Sequence, residues 1–213
     1  MQTHELIDML ADDASAVSPI ETQRRLALAA LAGAAIALVM VVAWLRLRPD
    51  LSQAIGGGFF WMRAAYTAAL GVTGFWASER LARPETSARG AATAGAALVA
   101  AIAVVAALQF APLPAAARIP TLEGVSWQVC SRNIVILATP MTLICLFVLR
   151  GLAPTRPWLT GFAAGAFAGG VAATVYGLHC PETTFVFVGL WYTLGIVASG
   201  LIGAIIGRLA LRW

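Results

Sequence analysis

The sequence predicts an all-α, polytopic membrane protein with six transmembrane helices and both termini in the cytoplasm. Three observations carry this expectation. Of 213 residues, 60% are hydrophobic and only 11% charged, where a soluble domain holds roughly a quarter charged residues. The apolar residues cluster into runs close to the length of about twenty residues that crosses a bilayer. The runs are continuous rather than alternating, and within lipid a continuous run satisfies its own backbone polar groups as a helix.

The elements follow in order. Residues 1–25 form a cytoplasmic acidic tail: Glu5, Asp8, Asp12, Asp13 and Glu21 lie here, and no basic residue precedes Arg24. An acidic, polar start is the opposite of a cleavable signal peptide, which opens with basic residues and an apolar core. Leu6, Ile7 and Leu10, with Met9 nearby, fall on one helical face, and Glu5, Asp8 and Asp12 fall elsewhere on the same short helix. Such a helix needs a partner to fold, so the tail reads either as a docking segment for a basic cytoplasmic protein or as a solvated tail. Ser18-Pro19-Ile20-Glu21 then reads as a helix N-terminus, with Ser18 as cap and Pro19 first.

The transmembrane domain covers 26–207, with spans expected at 26–45, 59–77, 91–111, 134–149, 158–178 and 185–206. The fourth is the shortest and contains Pro140. A short C-terminal end, 208–213, follows. Arg24, Arg25, Arg80, Arg83, Arg89, Arg150, Arg156, Arg208 and Arg212 flank one side of this topology. Arg46, Arg48, Arg118 and Arg132 flank the other. The richer side is cytoplasmic by the positive-inside rule. The net charge of +4 is therefore a topological signal and not a sign of direct nucleic-acid binding.

Arg63 lies inside the second span, about five residues from its start, where its side chain is expected to snorkel to the headgroups. No Asp, Glu or His occupies the middle of a span, which argues against a proton-coupled transporter. Gly161, Gly165 and Gly169 in the fifth span, and Gly195, Ser199, Gly203 and Gly207 in the sixth, recur at four-residue spacing. Small residues at this spacing let helix backbones approach closely. Packing within the chain is the expected use, and a homodimer face is the sharper alternative.

The cysteines carry the candidate chemistry. Cys130 closes the third loop and Cys180 lies in the fifth, so any six-span topology puts both on one side. The Arg count makes that side periplasmic, where thiols can oxidise. In His179-Cys180-Pro181-Glu182, Pro181 suits the first turn of the sixth span. Cys180 would then sit near a helix N-terminus beside His179, which favours the thiolate, while Glu182 opposes it. Cys130 and Cys180, with His179 as an auxiliary, read either as a thiol sensor or soft-metal site or as a static disulfide or unrelated thiols. Cys145 lies within the fourth span and reads as a small buried apolar residue. No cofactor is implied, and the absence of C-x-x-C leaves a membrane thiol oxidoreductase without its motif.

Several segments together resemble the NrsF-like anti-sigma factors. They are Glu5-Leu6-Ile7-Asp8-Met9-Leu10-Ala11, Arg48-Pro49-Asp50-Leu51, and Ala153-Pro154-Thr155-Arg156-Pro157. Leu178-His179-Cys180-Pro181-Glu182, Trp191-Tyr192 and the terminal Gly207-Arg208-Leu209-Ala210-Leu211-Arg212-Trp213 complete the set. They span the whole chain. The resemblance implies a non-enzymatic bacterial inner-membrane protein that holds an extracytoplasmic-function sigma factor inactive. It implies a cytoplasmic sigma-binding segment, onto which Glu5, Leu6, Ile7, Asp8 and Leu10 map. It also implies two periplasmic cysteines that sense a metal or an oxidant, which are here Cys130 and Cys180, the former in Trp127-Gln128-Val129-Cys130. A small transporter or channel, with a metal ion among its candidate cargoes, is the competing reading of six spans with two glycine-rich ones.

Overall fold

The computed structural model describes residue 4 and residues 19–83, 86–152 and 154–211. The sigma-binding candidates Glu5, Leu6, Ile7, Asp8 and Leu10 lie outside these residues. Among the described residues every regular element is helical. Helix α1 (Pro19–Met40) runs on through a π-helical turn, Val41–Leu45. The short α2 (Leu51–Gly56) leads into α3 (Gly58–Leu81). Then come α4 (Arg89–Phe110), the short α5 (Ala115–Glu123), α6 (Trp127–Arg150) and α7 (Pro157–Tyr176). The last helix, α8 (Phe185–Ala210), carries a π-helical turn at Val188–Tyr192.

Five stretches are long and apolar enough to cross a membrane: Ile20–Leu45, Arg89–Phe110, Ala115–Arg150, Pro157–Tyr176 and Phe185–Ala210. Helix α3 matches them in length, with 24 residues, but Arg63, Glu79 and Arg80 make it less apolar. The outer surface is correspondingly greasy: Val39, Leu108, Phe147 and Leu209 are all largely exposed. Water penalises such a surface and lipid does not.

Helix α7 is the hub, packing against α8, α3, α6 and α1. The packing with α8 is backbone to backbone. A Cβ on Gly161 would fall 2.2 Å from the Gly203 carbonyl oxygen, and one on Gly165 would fall 2.2 Å from that of Ser199. The stripes read from the sequence are thus used within the chain. The opposite face of α7 meets α3 just as closely, through Gly170 against Gly71 and Gly74 against Phe167. Helix α4 lies on the periphery and buries little of its surface.

The fourth span differs from the sequence expectation. Helix α6 starts at Trp127, well before residue 134, and passes through Pro140 to Arg150 unbroken. A proline in a membrane helix is tolerated where neighbouring helices satisfy the freed backbone. One consequence is that Cys130 belongs to the first turn of α6 rather than to a loop.

Candidate functional site

The ends of α1 and α7 and the starts of α3, α6 and α8 meet at one end of the bundle. Segment 177–184, between α7 and α8, is the centre of this layer. Helical hydrogen bonding continues past Tyr176, since the Cys180 amide donates to the Tyr176 carbonyl at 3.1 Å. Cys180 therefore caps the C-terminal end of α7. The N-terminus of α8 lies further on, at Thr184, whose hydroxyl accepts from the Phe187 amide. This corrects the expectation that Pro181 opens the sixth span and that Cys180 sits at its N-terminus. A threonine hydroxyl satisfies a free helix amide directly, whereas proline only tolerates the first turn.

Cys130 and Cys180 are both free thiols with no exposed surface. The two thiols are close enough that each influences the other's ionisation, and the Ser126 hydroxyl is 3.8 Å from the Cys180 sulfur. The hydrogen bond from Cys130 holds the Cys180 thiol well below its ordinary value. The Glu182 amide and the charge of Arg63 add to this, against the effect of burial. Cys145 is buried elsewhere along α6.

Arg63 is the largest departure from the sequence reading. It does not snorkel: it is 2% exposed. Its guanidinium donates to the carbonyls of Gly177 at 2.6 Å, Glu182 at 3.1 Å and Cys180 at 3.2 Å. Phe59, Phe60 and Tyr192 surround it at cation–π range. The carbonyls at the end of α7 and in the following turn supply the negative ends of dipoles, which replace the water that snorkelling would have kept.

Arg48, just past α1, grips the same segment. Its backbone amide donates to the Leu178 carbonyl at 3.1 Å, and its side chain reaches the Cys180 carbonyl at 3.2 Å while pairing with Asp50 at 2.7 Å. His179 turns away from the thiols, with Nδ1 2.8 Å from the Arg46 carbonyl oxygen. Glu182 faces the start of α6: one carboxylate oxygen accepts from the amides of Val125 and Ser126, at 2.8 and 3.1 Å, and from the Ser126 hydroxyl. It thereby satisfies free amides where α6 begins. Gly124, at φ 55°, makes room, since a Cβ there would lie 2.5 Å from the Glu182 carboxylate.

Two tyrosines complete the pocket: Tyr176, which the sequence did not flag, and Tyr192, which it raised only within the resemblance. Tyr176 and Tyr192 are fully buried beside the thiols, and neither hydroxyl has a hydrogen-bond partner. Their rings are 5.8 Å apart. Among the described residues no three His, Cys, Asp or Glu side chains gather as a metal site. The chemistry on offer is therefore that of two adjacent thiols: joining as a disulfide, or binding a soft ion through two sulfurs.

The comparisons with known proteins now bear on the chain. The family described as "NrsF: Negative regulator of sigma F" matches residues 10–213. The anti-sigma-F factor NrsF of Caulobacter vibrioides is 50% identical, and the probable anti-sigma-F factor NrsF of Azospira oryzae is 37% identical. Each aligns over the full length of both chains. The chain belongs to the NrsF family. Family members of this description are regulators of a sigma factor, so NrsF membership implies a sigma factor as partner. No solved structure matches the chain.

Proposed function

We propose that this chain is a membrane-embedded anti-sigma factor of the bacterial inner membrane. It spans the bilayer six times, with both termini in the cytoplasm. The N-terminal segment sequesters an extracytoplasmic-function sigma factor through Leu6, Ile7 and Leu10, with Glu5 and Asp8 facing the basic surface that such a factor presents to DNA. Oxidation of Cys130 and Cys180, or their capture of a soft metal ion, releases it. The observation that carries this reading is the meeting of two buried free thiols, fifty positions apart in the sequence, at one end of a bundle whose chain belongs to the NrsF family. A buried thiol pair with no third ligand among the described residues is poised for a change of bonding rather than for permanent metal storage.

The docking half is tested by fusing residues 1–24 to a soluble carrier and mixing it with the sigma factors of the same genome. Capture of one factor, lost when Leu6, Ile7 and Leu10 are all changed to Ala, supports the reading. Failure of both this fusion and the full-length protein to bind any sigma factor contradicts it and favours a transport function, which reconstituted flux would reveal.

A further inference from the structure

The thiol pair and the cytoplasmic tail lie at opposite ends of α1, and the structure contains a physical link between them. Helix α1 begins at Pro19, directly after the tail, and ends in the π-helical turn Val41–Leu45. The next residue, Arg46, has φ 67° and ψ 151°. This backbone region is essentially reserved for glycine, and Arg46 is the only non-glycine residue with positive φ among those described. A side-chain-bearing residue stays there only when its surroundings hold it.

What holds it is the cysteine segment. The Arg46 carbonyl meets His179 Nδ1 at 2.8 Å. Two residues later, Arg48 closes the backbone bond to Leu178 and the side-chain bond to the Cys180 carbonyl. Asp50 anchors the other side of the Arg48 guanidinium. The turn is thus a strained strap, fastened to Leu178, His179 and Cys180 by three hydrogen bonds. A π-helical turn next to it supplies a place where the helix can rewind.

We propose that residues 46–50 form a latch that couples the Cys130–Cys180 pair to α1, with Arg48 and His179 as its fastenings and the strain at Arg46 as its spring. This proposal rests on the sensing reading above. In the reduced protein the latch is closed and α1 is held in the position that lets the tail retain its sigma factor. When an azodicarboxamide takes both thiol protons and two electrons, it becomes the hydrazine and a Cys130–Cys180 disulfide forms. The Cys180 backbone then moves toward Cys130, the Arg48 and His179 bonds loosen, and Arg46 relaxes to an ordinary conformation. The π-helical turn rewinds and α1 shifts.

The test uses the full-length protein in lipid nanodiscs with its sigma factor bound. Hydrogen exchange of residues 41–50 is followed before and after diamide, with disulfide formation counted by thiol labelling. Three chains are compared: wild type, Arg48→Gln and Arg46→Gly. In wild type, exchange at 41–50 is expected to rise when the disulfide forms. Arg48→Gln should show the raised exchange and sigma release without oxidant. Arg46→Gly, which removes the strain of the closed state, should shift the balance toward retention by about fivefold or more while forming the disulfide normally. The opposite signs of the two variants exclude a general loss of folding as the cause. If exchange at 41–50 is unchanged by the disulfide, or if both variants retain and release sigma factor as wild type does, the latch is wrong. The sensing reading fails separately, when wild type and a Cys130→Ser, Cys180→Ser variant release sigma factor equally under diamide.

Discussion

Changing Arg63 to Ala is the perturbation whose size the structure fixes most clearly. The guanidinium satisfies three buried carbonyls, those of Gly177, Cys180 and Glu182. The Cys180 carbonyl keeps a second donor in Arg48, so two carbonyls lose their partner. Each orphaned buried carbonyl costs about 1–3 kcal/mol, giving roughly 2–6 kcal/mol before any collapse of the space left behind. In a chain of this length 1 kcal/mol moves Tm by about 2–4 °C, so the expected loss is on the order of 5–20 °C. The assay is thermal unfolding in detergent, followed by tryptophan fluorescence, with Arg63→Lys beside it. Lysine keeps the charge but replaces the planar fork with a single ammonium, so it should recover part of the loss. A snorkelling arginine would lose little on truncation, because its charge never left water. An Arg63→Ala protein melting within about 1 °C of wild type would refute the buried clamp.

Other perturbations have definite signs. Gly165→Ala drives a methyl group to 2.2 Å from the Ser199 carbonyl oxygen. It should force α7 and α8 apart at a cost of about 1–3 kcal/mol, visible as a lower Tm in the same assay. Glu182→Ala removes the acceptor for the Val125 and Ser126 amides and should raise hydrogen exchange at 125–130 while leaving the middle of α6 protected. The Cys180 thiol is held below its ordinary value, so its thiolate fraction grows at a lower pH than that of a free cysteine. Alkylation of Cys180 should therefore rise with pH and level off below the value near 8.5 typical of a free thiol. The Cys130→Ser variant should move that midpoint upward, because Cys130 supplies the leading hydrogen bond.

The parts of this architecture that are local in sequence were legible in it. Long apolar runs marked the helices, and four-residue spacing marked the glycine seam between α7 and α8, because both signals depend only on neighbouring residues. Loop parity placed Cys130 and Cys180 on one side before any contact was known. Arg63 was misread because depth along its helix was the only local clue, while its acceptors lie more than a hundred residues away. Cys180 was placed at the N-terminus of α8 because Pro181 carries a positional preference, whereas the Thr184 hydroxyl makes the capping bond. The expected fourth span began too late because Ser131, Arg132 and Asn133 interrupt the apolar run, whereas the helix extends back through them to Trp127. Tyr176 gave no signal, and Tyr192 entered only through the Trp191-Tyr192 resemblance, since an aromatic residue in an apolar run looks like core until its hydroxyl is found without a partner. The strained Arg46 is likewise invisible in the sequence, because nothing there marks an arginine for a conformation that glycine favours.

The central claim is that the state of two thiols at one end of the bundle controls a sigma factor held at the other. The direct measurement is the amount of sigma factor retained by full-length protein in nanodiscs, titrated with diamide, for wild type, Cys130→Ser and Cys180→Ser. The account predicts release from wild type in step with disulfide formation, and retention by both single variants at the same dose. Equal release from all three, or retention by wild type after its disulfide has formed, would contradict it.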